Sequence, residues 1–154
     1  MNEMVVMFAL KLMSVKEIRE SESAAVIQFE GGFTGRLTRH DNDKYADSLG
    51  NAREGLKDTS PVVVSMAEPD RIVAIGWADS DTVLYVKEHD ANRLQVAFGI
   101  RAAIYYLRKD NTDLQRVKAT LERSAKNKSL VWLSFDQDKM LVVDALPVEH
   151  GGKK

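Results

Sequence analysis

The chain has no cysteine among its 154 residues. That absence excludes disulfide frameworks, thiolate metal sites and cysteine nucleophiles. It fits a reducing compartment, and a cytoplasmic location is expected. No excess of one charge is present either: 22 basic side chains face 23 acidic ones. A balance so near zero gives no global attraction to nucleic acid or to an anionic membrane. Long apolar runs are missing too. The run Met4-Val5-Val6-Met7-Phe8-Ala9-Leu10 is too short to span a bilayer, so no membrane partner is expected. It follows Asn2 and Glu3 rather than a basic segment, and no small-residue cleavage site comes after it. It therefore reads as a strand, a core strand or an edge strand open to exchange, and not as an export signal.

Catalytic signatures are equally scarce. HExxH, GxSxG, P-loop and GxGxxG patterns do not occur. His40, His89 and His150 lack metal-type or nucleophile-type neighbours, and no acidic pair shows the spacing of an acid–base couple. No catalytic, metal or cofactor residue is assigned, and a non-enzymatic protein is expected.

What is there is ordinary globular material, 44% apolar and 29% charged, in a chain long enough to bury a core without a staple. It also carries self-similarity, the signature of a repeat. At an offset of 69, Arg39-His40-Asp41-Asn42 lies over Arg108-Lys109-Asp110-Asn111. Ser60–Met66 lies over Ser129–Phe135, Ile72-Val73-Ala74 over Leu141-Val142-Val143, and Phe29 over Phe98. Before Phe29 an offset of 71 places Val15-Lys16-Glu17 on Val86-Lys87-Glu88.

Each copy reads as three strands, a helix and two strands. In the first, strands are expected over Leu10–Arg19, Ala24–Glu30 and Phe33–His40. A helix carrying Tyr45, Leu49, Ala52 and Leu56 follows, then a hairpin of Pro61–Met66 and Arg71–Trp77. In the second, Thr82–Glu88, Leu94–Ile100 and Ala102–Leu107 precede a helix with Leu114, Val117, Leu121 and Ala125 on one face. Leu130–Phe135 and Met140–Leu146 close it. The expected fold class is α+β, a tandem duplication of a small, mostly antiparallel, β-rich unit with one helix each. The first repeat with its extra N-terminal strand takes residues 1–80, the second 81–148, and a flexible tail 149–154. The order βββαββ resembles that of OB-fold barrels, which place a helix between the third and fourth strands; the resemblance is one of element order alone.

Strand alternation sorts the closing hairpins by face. Val62, Val64 and Met66, with Val131, Leu133 and Phe135, are assigned inward, as are Ile72, Ala74 and Gly76 with Leu141, Val143 and Ala145. The opposite face then carries Val63, Val73, Ile75, Trp77, Trp132, Val142 and Leu146, and a hairpin apolar on both faces is covered on both sides. With Ala78–Asp81 as the whole connection, one cover is the other copy. The alternative cover is a protein partner or a second chain, with Trp77 and Trp132 as anchors. This non-enzymatic binding or assembly role is the first expectation for function.

The repeated Arg-x-Asp-Asn reads as helix capping, with an anion held by Arg39 or Arg108 as the sharper alternative. The second half is basic: from Arg101 to Lys128 eight cations face three acids. Arg101, Tyr105, Arg108, Arg116 and Arg123 are therefore the candidate anion or single-stranded nucleic-acid residues, with Tyr106 nearby as a further stacking group.

Overall fold

A computed structural model describes residues 6–40 and 42–148. Its contacts divide the chain into two compact units, Met1–Ala78 and Asp79–Lys154. The first unit runs β1 (Val6–Met13), β2 (Val15–Glu20), β3 (Ala24–Phe29), β4 (Thr34–Thr38), α1 (Tyr45–Asp58), β5 (Val62–Ala67) and β6 (Arg71–Trp77). The second runs β7 (Asp79–Glu88), β8 (Arg93–Phe98), β9 (Ile104–Arg108), α2 (Leu114–Asn127), β10 (Leu130–Asp136) and β11 (Leu141–Pro147). Three strands, a helix and two strands recur, with β1 as the addition at the front. The protein is a β-rich α+β fold, as expected from its alternating and helical periods. The expected tail, His150 and the first two residues of the Met4–Leu10 run lie outside the described residues.

The second unit is a closed barrel of order β10-β11-β9-β8-β7. Closure depends on the length of β7. Its first half pairs antiparallel with β10, from Asp79↔Leu133 to Thr82↔Leu130, and its second half pairs with β8. Only β9 and β11 run parallel, meeting at Leu141↔Tyr106. Such a barrel, with its helix between the third and fourth strands, has the topology of OB-type folds. In the first unit the order is β1-β5-β6-β4-β3-β2. Here β1 and β2, interrupted at Ser14, together take the place of β7. Met13↔Val62 and Leu12↔Val63 correspond to Asp81↔Val131 and Ser80↔Trp132. Val6–Met13 is thus paired within its own unit, and the N-terminal strand continues along β5 as far as Ala67.

Register corrects three expectations. Val15 pairs with Phe29 as Val83 pairs with Phe98, and each first strand bulges at the next residue. The offset before Phe29 is therefore 83 − 15 = 68, one less than 69, and not 71. In the closing hairpins a bulge follows Ser65 and, equivalently, Ser134. The β10–β11 turn is also one residue longer than the β5–β6 turn, since Asp136↔Leu141 corresponds to Ala67↔Arg71, so Ile72 matches Val142 and Ile75 matches Ala145, both at 70. A one-residue slip turns every side chain to the other face. The third correction concerns the expected connection: Asp79, Ser80 and Asp81 belong to β7, leaving Ala78 between the last strand of one unit and the first of the next.

Each unit buries its own core. In the first, Ile27, Phe29, Leu37, Val64, Met66 and Ile72 pack under Leu49 and Ala52 of α1. In the second, Val96, Leu107, Leu133 and Phe135 pack under Val117 and Leu121 of α2. Pairing shows how the two cores differ: Gly35 faces Ile27 where Tyr105 faces Val96. A Cβ at Gly35 would lie 2.5 Å from Ile72 Cγ1 and 2.8 Å from Met66 Cε. There the first unit fills its core from Ile72 and Met66, while the second uses the Tyr105 ring. Both helices end on a left-handed residue, Thr59 and Lys128.

Candidate functional site

The hairpin faces separate into core and surface. Ile75 and Val142 were expected outside, but they are 3% and 1% exposed and belong to the two cores. Both corrections have one cause, the bulge, which restores inward orientation three residues after the preceding core position. Val63 is also buried, with Leu12 and Gly76 as its strand neighbours. Val73, Trp132 and Leu146 are half-buried, and Trp132 and Leu146 are cross-strand partners. Trp77 stands apart at 74% exposed. Its indole Nε1–H donates to Asn51 Oδ1, and Asn51 Nδ2 donates to the Ile75 carbonyl at 2.8 Å. The ring is thus oriented by α1 while its face stays in water.

The segment before each helix does not cap it as expected. The N-cap residues are Lys44 and Asp113, neither with a side-chain capping bond. Asn42 and Asn111 act two residues upstream. Their Oδ1 atoms accept from Lys44 N at 2.8 Å and Asp113 N at 2.7 Å, closing an Asx turn. Asp41, the other half of the expected cap, lies outside the described residues. The arginines are not equivalent either. Arg39 N donates to Ser23 O where Lys109 N donates to Asn92 O, so Arg39 matches Lys109. Only the asparagine is shared. Arg39 lies over the Tyr45 ring at 5.2 Å.

The five candidate nucleic-acid residues are not brought together. Tyr105 is in the core, its ring 4.5 Å from Phe135 and its hydroxyl 3.1 Å from Gln137 Oε1. Strand alternation, with Leu107 inward, puts Tyr105 on the same side and Tyr106 outside. Arg101 lies over the Phe135 ring at 4.7 Å, with Nε 3.7 Å from the fully buried Asp81. That carboxylate also accepts from the backbone of Thr82, Ile100 and Arg101 at 2.7, 2.8 and 3.2 Å. Arg116 donates to buried Asp144 at 2.7 Å and to the Ala145 carbonyl at 3.0 Å. Those two cations hold structure. Arg123 is exposed on α2, and Arg108 grips Asp110 through two bonds of 2.8 Å.

A different basic site exists. A groove of about 690 Å³ is lined by Asp90, Asn92, Arg93, Arg108, Lys109, Asp110, Lys139 and Leu141. It is built by the β7–β8 turn, the end of β9 and the β10–β11 turn. Beside it, Tyr106 lies under the Arg93 guanidinium at 4.4 Å and next to the His89 ring at 4.8 Å. Farther along the same outer face, Gln95 Nε2 donates to the Tyr85 hydroxyl at 2.7 Å, and Lys87 sits over the Tyr85 ring. The groove acids are anchored. The bond from Arg108 holds Asp110 below the usual carboxylate range. The Asn92 backbone N–H, with Arg93, does the same for Asp90, and Lys109 does so for Glu88 across 2.5 Å. Of these groups, Arg108 and Tyr106 were expected from the sequence; His89 and Arg93 flank one turn, and Lys139 is distant in sequence and joins them only through the barrel.

Among the described residues no group of three or more His, Asp or Glu side chains could hold a metal ion. No helix there is long and apolar enough to cross a membrane. No family model matches the sequence, and no curated protein and no solved structure matches the chain.

Proposed function

We propose that this is a non-enzymatic binding protein that works by docking the outer faces of its closing hairpins, with a second copy of the chain as partner. The observation that supports this most is Trp77. An indole 74% in water is apolar area held out of a core, and its hydrogen bond to Asn51 removes the rotamer freedom that docking would otherwise cost. Aromatic anchors that enter a partner already oriented dominate the energetics of such contacts. Half-buried Val73 adds apolar surface on the same strand, and half-buried Trp132 and Leu146 supply it on the closing hairpin of the second unit. The net charge near zero offers no repulsion between copies.

Sedimentation at increasing concentration tests the proposal. The unaltered chain should move from monomer toward dimer, and Trp77→Asp should remain monomeric with an unchanged circular dichroism spectrum. A chain that stays monomeric at every concentration would remove this reading.

A further inference from the structure

The groove of the second unit includes the turn end of the closing hairpin but is lined by none of the docking residues, and it calls for a ligand of its own. We propose that it binds single-stranded nucleic acid, with the phosphates on Lys139, Arg108 and Lys109 and a base beside Tyr106 and Arg93.

Four cations, Arg93, Arg108, Lys109 and Lys139, line this groove against two carboxylates, Asp90 and Asp110. The site is therefore net positive in a chain that overall is not. Its ion pairs are exposed: Arg108 and Asp110 are 54% and 68% accessible. Exposed pairs contribute little and exchange partners readily, so a phosphate can take the place of Asp110 on the Arg108 fork in the same two-bond geometry. Until then Asp110 keeps that fork open and oriented. Lys139 stands exposed at the turn, where its amine can reach into solvent. The neighbouring aromatic matters as much as the charge. Tyr106 sits on the outer face of β9, beside Leu141 of the groove wall, and Arg93 already stacks on its ring. A base meets a planar cation and a phenol there, the pairing that sequence-tolerant single-strand binding uses. A duplex would offer phosphates but no free base to this face.

The first unit serves as an internal contrast. Its cavity of about 220 Å³, lined by Thr38, Asn42, Asp43, Lys44, Arg71, Ile72 and Val73, overlaps the equivalent place only at Thr38 and Arg71, the counterparts of Arg108 and Leu141. Arg36 occupies the position of Tyr106 there, since it pairs with Arg71 as Tyr106 pairs with Leu141. With a third of the volume and an arginine where the adjoining aromatic would be, that cavity should not bind the same ligand.

The test is fluorescence anisotropy of a labelled oligothymidylate with the full chain at low salt. Binding is expected, with a log–log salt slope of about −2 to −3 for up to four displaced cations. Lys139→Glu should weaken it at least about tenfold, Tyr106→Leu about fivefold or more, and Arg71→Glu should leave it unchanged. Circular dichroism of each variant, and Lys139→Gln as a milder substitution, separate loss of the site from loss of the fold. The proposal is overturned by no binding at low salt, or by equal affinity for a duplex or an acidic peptide. It is overturned equally by binding that Lys139→Glu and Arg71→Glu affect alike.

Discussion

Asn111 Nδ2 donates to the carbonyl oxygen of Val143 at 3.0 Å, tying the segment before α2 to β11. Asn42 does the same to Val73 at 3.2 Å. Bulged strands leave carbonyl groups without a ladder partner, and an asparagine from outside the sheet satisfies one in each unit. Asn111→Ala removes that bond and the Asx turn together. Chemical unfolding should show a loss of about 1–3 kcal/mol with an unchanged slope. A loss too small to measure would mean that the bond is replaced by water.

Buried Asp81 takes the place that Met13 holds in the first unit, and it carries the loop from Gly99 to Arg101. Asp81→Ala strands three backbone N–H groups and leaves Arg101 over Phe135 with the more exposed Asp79, 3.8 Å away, as its counter-ion. A cost of about 3–5 kcal/mol is expected. Asp81→Met combined with Arg101→Met should cost less than the sum of the two single changes, since no unpaired charge remains. A double-mutant cycle by urea unfolding checks this, and strict additivity would refute the coupling.

Arg116 belongs to the fold and Lys139 to the groove. Arg116→Ala leaves Asp144, 2% exposed, without its guanidinium, and should destabilise by about 2–4 kcal/mol. It should leave oligonucleotide binding intact below its melting temperature. Lys139→Glu should do the reverse. Identical effects of the two variants on binding would place the basic surface on α2 instead.

Asp110, Asp90 and Glu88 are all held below their usual range. A depressed carboxylate adds stability that is present above its unfolded-state value and is lost as pH falls through the folded one. Carbon-detected titration should place Asp110 below its ordinary 3.8, and Arg108→Ala should move it back up. Between neutrality and the ordinary carboxylate range these pairs leave stability flat. An Asp110 midpoint that Arg108→Ala does not move would show that the pair does not form in solution.

Much of the fold was legible because periods of two and of 3.6 residues sort strands from helices. Val62, Val64 and Met66 alternate inward as read, and Leu121 and Ala52 lie under their helices. The bulges were not legible. A run such as Ile72-Val73-Ala74-Ile75 carries apolar groups on both faces, so nothing in it marks Val73 as the extra residue. That hid the true positions of Ile75 and Val142. Arg39 and Arg108 matched in letters, but backbone pairing sets Arg39 with Lys109, and one residue fewer in the loop restores Asn111 to Asn42. Tyr105 and Tyr106 were separable by alternation from Leu107. The groove was not, because antiparallel pairing of β8 with β9 sets Arg93 opposite Arg108, while Lys139 comes to them through the parallel pairing of β9 with β11, a contact with no local signal.

The chain has two tryptophans and so gives two indole N–H resonances. Recorded from micromolar to millimolar concentration, the Trp77 signal should shift and broaden as the hairpin faces meet, and Asn51→Ala, which frees the ring, should weaken the effect. An indole resonance from Trp77 that stays fixed and sharp over the whole range would contradict docking through this face.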